Sequence, residues 1–282
     1  MNSTKPPVVF IHGLWLAASS WQPWIDHFTE QGYDARALLW PGEARDIEDA
    51  RAYPENVAGF GIEEVTQHLV GQLADFDEEP IIIGHSFGGM IAEKLLGENH
   101  GRAAIAIDAA QIKGVLPLPL SSLKSTLPVF KNPGNEKKAV SLTAHEFRYS
   151  FGNALEEDES DALWSQWNIP SPGRPLFEAA AANFSKHSPA AVETHNDTRG
   201  PLLLIMGGKD HTVPEAITKA TLKQYRGSEA ETDLLEFEDR GHSLTIDHGW
   251  REVADACLSW IERAVLDEPA ANEPESARPA IA

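Results

Sequence analysis

The stretch IIIGHSFGGM at residues 81–90 constrains the fold more than any other part of the sequence. An uninterrupted apolar run leads into a glycine-rich turn, and an apolar helical pattern follows. Such a run is typical of a strand buried on both faces, as in a parallel sheet. Ser86 would then lie on a sharp strand-to-helix turn, where a nucleophile can be presented. A plain glycine-rich bend fits the same pattern, so the rest of the chain must supply the partners of Ser86.

Other short apolar segments alternate with helical patterns along the chain. Including the run before the turn, the predicted strands are residues 8–11, 35–40, 80–83, 103–107, 201–206 and 233–237. The clearest helical patterns are residues 62–76, 87–96 and 250–265. This alternation predicts an α/β fold with a doubly wound, mostly parallel sheet of about six strands. Ligands of such sheets bind at the carboxyl ends of the strands.

The alternation stops between residues 112 and 198. This segment is rich in Pro, Ser and charged residues, with helical patterns at 139–150, 155–167 and 176–184. A helical insertion between two core strands predicts a cap over the strand ends. We therefore expect the following division: an α/β core of residues 5–111 and 199–266, a helical cap of residues 112–198, and a disordered, Pro- and Glu-rich tail of residues 267–282.

Charge and cysteine content limit the partners and the location. The net charge is −20 and there is no basic block, which argues against nucleic acid. No apolar stretch approaches the roughly 18 residues that span a bilayer, and the N-terminus lacks the pattern of a signal peptide. Cys257 is the only cysteine, so an intramolecular disulfide is excluded. We expect a cytoplasmic protein without nucleic-acid or membrane partners, and the sequence leaves its oligomeric state open.

Two polar side chains follow later strands in the order that a serine nucleophile requires. A serine hydroxyl is a weak nucleophile that needs a neutral imidazole, and the imidazole needs a carboxylate to fix its tautomer. In GGKDHTVP, Asp210 follows the next-to-last predicted strand, and in RGHS, His242 follows the last. The order Ser86, Asp210, His242 predicts a catalytic triad. Asp108, which also follows a strand, is the second candidate for the acid.

Acyl transfer also needs N–H groups that bind the oxyanion. One donor is expected at Phe87, directly after the nucleophile, and the other in HGLW, where Leu14 is favoured and Trp15 is the alternative. Trp15 and Leu16 flank this loop, and we expect them to line an apolar substrate pocket. No H-x-x-x-H pair occurs on a predicted helix, so neither a metal nor another cofactor is expected.

The motifs FIHGLW, GHSFGG, GGKDHTVP and RGHS together resemble the α/β-hydrolase superfamily over residues of about 8 to 265. The resemblance is to its serine esterase-like branch, which is related to the plant hydroxynitrile lyases. Those lyases carry a threonine at the position of Gly13 and a lysine at the position of Ser243, so this chain is more similar to the esterases. The segment WPGEARD at residues 40–46 departs from the P-G-H-G pattern of the family.

This resemblance implies a serine hydrolase. We expect a carboxylesterase that cleaves a small to medium hydrophobic ester through an acyl-enzyme. Other triad reactions on the same fold are the alternatives: a C–C bond hydrolase, a lactonase, a perhydrolase or a hydroxynitrile lyase. A ligand-binding protein that retains the triad is the alternative from a different class. The acyl and alcohol groups of the substrate are not predicted by the sequence.

Overall fold

A computed structural model of the protein describes residues 5–266, and the predicted disordered tail lies outside them. The strands are β1 (Val8–Ile11), β2 (Ala35–Ala37), β3 (Ile81–His85), β4 (Ala103–Ile107), β5 (Ala139–Val140), β6 (Ser171–Pro172), β7 (Leu202–Gly207) and β8 (Thr232–Phe237). Six of them form one sheet in the order β2-β1-β3-β4-β7-β8, with every neighbouring pair parallel. The predicted α/β architecture with six core strands is confirmed.

Helices cover both faces of the sheet and fill the segment between β4 and β7. They are α1 (Gln22–Glu30), α2 (Ile47–Ala52), α3 (Ile62–Leu73), α4 (Phe87–Gly97), α5 (Leu120–Phe130), α6 (Ala144–Ser150), α7 (Glu157–Trp167), α8 (Arg174–Ala180), α9 (Glu215–Gln224) and α10 (Trp250–Ile261). The helices α5 to α8 lie where the cap is predicted, and the division into core and cap stays a prediction. None of the helices within the described residues is long and apolar enough to cross a membrane.

The strands β1, β4 and β7 are apolar at every position because both faces of the sheet are covered there. Val9 and Ile82 point to one face and belong to the hydrophobic cluster that includes residues of α3, α4 and α9. Phe10 and Ile83 point to the other face, where the cluster includes residues of α1 and α10. Phe10 stacks on Trp21 with 4.9 Å between the ring centroids. A two-sided core of this kind replaces the alternating pattern of a half-exposed strand with a continuous apolar run.

The helix α5 is not predicted by the sequence, because its prolines argue against a helix. Pro119 stands at the N-cap, where a missing N–H costs nothing. Pro128 lies in the last helical turn, and the side-chain amide of Asn135 donates to the carbonyls of Pro128 and Val129. Pro119 therefore occupies a position that a helix tolerates, whereas Pro128 lies inside the helix and removes the N–H that would donate to the carbonyl of Lys124.

Several predicted elements are longer than the observed ones, and two of them show why. The helix predicted over 139–150 begins only after Thr143, because Thr143 and Glu146 form a capping box that fixes the first turn. The strand predicted over 35–40 ends at Ala37. In both places, hydrogen bonds between side chains and the backbone set the end of the element, and the pattern of apolar residues does not.

Candidate active site

Ser86 occupies the strand-to-helix turn between β3 and α4. Its backbone is left-handed, with φ 56° and ψ −120°, a conformation that costs of order 1–3 kcal/mol in a non-glycine residue. A Cβ at Gly84 would lie 2.0 Å from the carbonyl oxygen of Gly88, so the turn can form only with glycine there. The N–H of Ser86 donates to the carbonyl of Ile107 at 2.9 Å. This bond to the neighbouring strand holds the strained turn in place.

The structure brings Ser86, His242 and Asp210 together at the carboxyl ends of the strands. The Ser86 Oγ lies 3.0 Å from His242 Nε2, and His242 Nδ1 lies 2.6 Å from Asp210 Oδ2. A carboxylate can only accept, so Nδ1 carries the proton and Nε2 is free to accept the serine proton. This is the arrangement in which an imidazole can act as a general base towards a hydroxyl group.

Neighbouring groups fix the orientation of both partners of Ser86. The second carboxylate oxygen of Asp210 accepts the N–H groups of Thr212 at 2.6 Å and Val213 at 2.9 Å. The His242 ring is fully buried, and Phe151 packs edge-on against it at 4.8 Å between centroids. His85 Nε2 donates to the carbonyl of His242 at 2.9 Å. The imidazole is therefore held by packing, by a backbone contact and by Asp210.

Asp108, the second candidate for the acid, lies next to Asp210 but does not bind the imidazole of His242. Its Oδ1 accepts the N–H of Gly207 at 2.7 Å, and its Oδ2 lies 4.0 Å from His242 Nδ1. Complete burial, followed by the negative charge of Asp210, raises the pKa of Asp108 well above its ordinary value. Burial and the neighbouring charge of Asp210 therefore favour the neutral form of Asp108, and the carboxylate that binds His242 Nδ1 is that of Asp210.

One group of three side chains in this region has the composition of a metal site. Ligand atoms of His85, Asp108 and His242 lie within 4.8 Å of one another. Both ring nitrogens of His242 are engaged, one with Ser86 and the other with Asp210. A metal ion could bind His242 only by breaking one of these hydrogen bonds, so the geometry favours the hydrogen-bonded relay over a metal centre.

The predicted oxyanion donors belong to the residue after Ser86 and to the loop that follows β1. Phe87 is the first residue of α4, where N–H groups have no acceptor within the helix and the helix dipole favours negative charge. The N–H of Leu14 has no acceptor among the described residues. The N–H of Trp15 donates to Ser171 Oγ at 2.6 Å. Of the two alternatives left open by the sequence, only Leu14 therefore keeps an available N–H group.

The HGLW loop is attached to the segment around β6. Trp15 has a φ of 66°, and its indole N–H donates to the carbonyl of Val140 at 3.0 Å. Leu16 forms an antiparallel bridge with Asn168. Both Trp15 and Leu16 are buried, and their predicted role in lining a substrate pocket stays a prediction.

A buried ion pair lies directly behind this loop. His12 Nε2 is 2.7 Å from Glu43 Oε2, and His12 Nδ1 is 2.7 Å from the carbonyl oxygen of Gly13. Glu43 also accepts the N–H groups of Ala18 and Trp40 at 2.8 and 2.9 Å. Neither a carbonyl nor a carboxylate donates, so both nitrogens of His12 carry protons and the ring is an imidazolium. Sequence patterns assign no role to Glu43. The only indication is that it is an acidic residue in WPGEARD, the segment that departs from the P-G-H-G pattern of the family.

The charges of the pair agree with this proton count. Burial alone would lower the pKa of His12, but the charge and hydrogen bond of Glu43 outweigh it and leave the pKa above its ordinary value. Burial would likewise raise the pKa of Glu43, but His12 and the backbone N–H groups hold it below its ordinary value. The imidazolium donates to the Gly13 carbonyl, so it orients the peptide group whose N–H belongs to Leu14. The pair is thus a support for the predicted oxyanion loop.

Glu43→Gln should destabilise the fold by about 3 kcal/mol, because it leaves a buried partner of an ion pair uncompensated. Either orientation of the new amide also places an NH₂ group against a backbone N–H, that of Ala18 or that of Trp40. Stability from His12, whose pKa is raised, is lost as pH rises through that pKa, and stability from Glu43 is lost as pH falls through its lowered pKa. The difference from the wild type should therefore be largest between the ordinary values of 4.5 and 6.5. Urea unfolding as a function of pH measures it.

The matched control is Glu215→Gln, which removes the exposed partner of Lys219 on α9. Its free energy of unfolding should change by less than about 1 kcal/mol at any pH. A Glu43→Gln protein that is as stable as this control at pH 6 would contradict a buried ion pair behind the loop.

Asp108→Asn tests whether Asp108 is neutral in the folded protein. In the wild type, the unfolded state ionises Asp108 above its ordinary pKa while the folded state keeps the proton, so this group stabilises the fold less as pH rises. The variant lacks that dependence. Its stability relative to the wild type should therefore increase by up to about 1.4 kcal/mol per pH unit between pH 5 and the raised pKa. The measurement is denaturant unfolding of both proteins at several pH values.

Asp239→Asn is the control, because Asp239 is exposed and pairs with Lys209. It should show no such increase with pH. If Asp108→Asn also follows the wild type in parallel across the pH range, Asp108 is ionised in the folded state and the description given above is wrong.

Comparisons with known proteins identify the family of the chain. The model of a family described as the alpha/beta hydrolase family matches residues 8–256. No curated protein sequence matches the chain. Among solved structures, an extracellular alpha/beta-hydrolase from a Paenibacillus species is 18% identical, covers 90% of this chain and 98% of its own, and superimposes with a TM-score of 0.66.

Two further solved structures have similar sequence identities, coverages and TM-scores. The methylesterase protein MES16 from Arabidopsis is 17% identical, with 92% of this chain and 100% of its own covered and a TM-score of 0.65. A monoacylglycerol lipase from Paleococcus ferrophilus is 18% identical, with 92% and 96% covered and a TM-score of 0.62. At such identities these structures are similar in fold alone. The family model, in contrast, spans most of the sequence, and the protein therefore belongs to the alpha/beta hydrolase family.

Proposed function

We propose that the protein is a serine carboxylesterase that cleaves a hydrophobic ester through an acyl-enzyme intermediate. The observation that carries this proposal is the continuous relay from Ser86 Oγ to His242 at 3.0 Å and on to Asp210 at 2.6 Å. The strained turn at Ser86 and the two N–H groups beside it support the same chemistry.

In the proposed mechanism, Ser86 Oγ attacks the ester carbonyl and gives its proton to His242 Nε2. Asp210 stabilises the imidazolium that forms and keeps its Nδ1 proton in place. The N–H groups of Phe87 and Leu14 bind the oxyanion of the tetrahedral intermediate. The imidazolium then protonates the leaving alcohol. Water attacks the acyl-enzyme by the same route in reverse, which releases the acid and restores Ser86.

Two positions disfavour cyanohydrin cleavage, one of the alternative reactions on this scaffold. A Cβ at Gly13 would lie 2.6 Å from the Cβ of Ser86, so the threonine of the lyases could not be accommodated without a shift of the turn. Ser243 stands at the position of the lyase lysine, and its hydroxyl donates to Asp247 at 3.2 Å, away from the nucleophile. Neither lyase-specific group has a counterpart here.

The substrate class is proposed from the surroundings of the triad. Trp15 and Leu16 are apolar, buried and attached to the oxyanion loop, which suits a small to medium hydrophobic ester. Solved structures of a methylesterase and a monoacylglycerol lipase share the fold. We also propose a cytoplasmic location, because Cys257 is buried and is the only cysteine, a composition compatible with a reducing compartment.

Ser86→Ala should abolish the turnover of short p-nitrophenyl esters, because no other group can form the acyl-enzyme. We expect kcat to fall by at least about 10⁴-fold, the usual effect of removing a triad serine. A fluorophosphonate probe should label the wild-type protein once and leave Ser86→Ala unlabelled, as measured by intact-protein mass. Ratios of kcat/KM across acyl chain lengths then define the ester that the pocket prefers.

Ser125→Ala is the matched control, since Ser125 is buried in α5 and its hydroxyl has no partner among the described residues. It should be labelled and should turn over esters as the wild type does. A wild-type protein that binds esters without turning them over, and that the probe does not label, would be a ligand-binding protein and would contradict the proposal.

A further inference from the structure

The large exposed apolar side chains are concentrated on one short segment. Seven such side chains occur in the part of the chain that the structure describes, and five are leucines within residues 116–127. We call these five the leucine face: Leu116 (78% exposed), Leu118 (61%), Leu120 (84%), Leu123 (41%) and Leu127 (56%). Contiguous apolar surface of this kind is rare on a free monomer and marks an interaction site.

Phe184 extends the leucine face at its beginning. Its exposed fraction is 92%, and its neighbour Asn183 binds both the N–H of Gly114 and the carbonyl of Val115. These hydrogen bonds hold Phe184 beside the start of the leucine segment. Six of the seven exposed large apolar side chains therefore belong to one region of the surface.

The backbone sets all five leucines outward. Residues 116–120 alternate leucine and proline, and Leu116, Leu118 and Leu120 are exposed while the two prolines between them are half-buried. In α5, Leu120, Leu123 and Leu127 follow the i, i+3, i+7 spacing of one helix face. The apolar face of this amphipathic helix is thus turned towards solvent.

The opposite face of α5 is buried and consists of smaller side chains. Ser122, Ser125 and Val129 lie on it, and Ser122 Oγ donates to the carbonyl of Thr212 at 2.9 Å. A helix held only by the hydrophobic effect would turn its leucines inward. The observed orientation leaves the leucines available to an apolar partner.

The charge of the same segment is opposite to that of the whole protein. Residues 113–138 contain five lysines and one acidic residue, Glu136, which gives a net charge of +4 in a chain of −20. Lys137 and Lys138 are exposed, and Lys124 stands 3.8 Å above the Tyr149 ring. Lys131 lies 3.6 Å from Glu146. Lysines around an outward leucine face are the pattern of a helix that lies in a membrane interface.

We propose that the leucine face and its lysines dock the protein on the surface of an anionic phospholipid bilayer. The leucines would enter the boundary between headgroups and acyl chains, and the lysines would contact lipid phosphates. A second copy of the chain fits less well, because two-fold pairing would oppose two faces of charge +4. The acidic remainder of the molecule opposes docking weakly, since its charges are screened beyond about 8 Å at physiological salt. The sequence predicts no membrane partner. This proposal differs from that expectation in one respect, because it includes a peripheral contact with the membrane surface.

The docking surface connects directly to the candidate active site. The Thr212 carbonyl that accepts from Ser122 belongs to the residue whose N–H binds Asp210. Tyr149, under Lys124, also contacts the ring of His211 at 4.7 Å between centroids. If the proposed function holds, docking would bring the triad close to esters dissolved in the bilayer.

The test is co-sedimentation of the full chain with vesicles of phosphatidylcholine containing about 30 mol% phosphatidylglycerol, at about 0.1 M NaCl, where surface charges are only partly screened. Binding to these vesicles and not to pure phosphatidylcholine is expected. Replacing Leu120, Leu123 and Leu127 by serine should weaken binding by at least about 30-fold, because three apolar side chains no longer insert. Lys137→Glu with Lys138→Glu should weaken it by about 20-fold or more.

Matched controls separate these effects from misfolding and from catalysis. Tyr53→Ser removes an exposed apolar side chain outside the leucine face, and Lys219→Glu with Lys223→Glu reverses two charges on α9. Both should bind as the wild type does. All leucine positions are exposed, so the serine variant should keep its thermal midpoint. Ser86→Ala should also bind fully, which makes failure of docking distinguishable from failure of the proposed function.

A labelling experiment reports which surface enters the bilayer. Cys257 is fully buried and burial raises the pKa of its thiol, so a cysteine introduced at an exposed position can be labelled selectively. An environment-sensitive fluorophore at Leu120→Cys should shift to the blue with anionic vesicles, and the same label at Tyr53→Cys should not. No vesicle binding, equal binding by the leucine variant, or a dimer in sedimentation velocity that the leucine variant abolishes would overturn the proposal.

Discussion

The close approach of the β1 loop to the serine turn is the constraint on which the rest of the site depends. The space above Ser86 is so small that a Cβ at Gly13 would lie 2.6 Å from the Cβ of Ser86 and 2.9 Å from the carbonyl of His85. Glycine at this position lets the loop pass directly over the turn. The loop that carries Leu14 is thereby brought next to Ser86, which directly precedes Phe87. The same tight passage leaves no room for the threonine that a related reaction would use.

Charge is arranged around this contact so that each buried group has a defined proton. His12 is an imidazolium that serves only as a donor, and Glu43 balances it. On the other side of the turn, burial and the charge of Asp210 raise the pKa of Asp108 and so favour its neutral form. One negative charge therefore faces His242, and the imidazole has a single favoured tautomer.

The sequence predicts those parts of the site in which a functional residue directly follows a recognisable strand. Ser86 and Asp210 follow short apolar strands in a fixed order, so their approach to one another is a consequence of a parallel sheet. Local patterns cannot decide between Asp210 and Asp108, because both residues follow strands. Only the folded structure separates them: His242 Nδ1 lies 2.6 Å from the carboxylate of Asp210 and 4.0 Å from that of Asp108. Local patterns also do not predict the role of Glu43, because its partner His12 lies 31 residues away in the sequence. The helix α5 escapes prediction because one proline stands at its N-cap, another lies inside it, and its leucines face solvent.

The orientation of α5 links the outer surface to the interior chemistry. Ser122 holds the inner face of the helix to Thr212, and Thr212 in turn holds a carboxylate oxygen of Asp210. Any displacement of α5 on an apolar surface would therefore act first on the loop that orients the imidazole. Thr212 also donates through its hydroxyl to the carbonyl of Ser150 at 2.6 Å, which resists that displacement. Because this second bond anchors the loop to α6, docking through the leucine face can occur without disturbing the relay behind it.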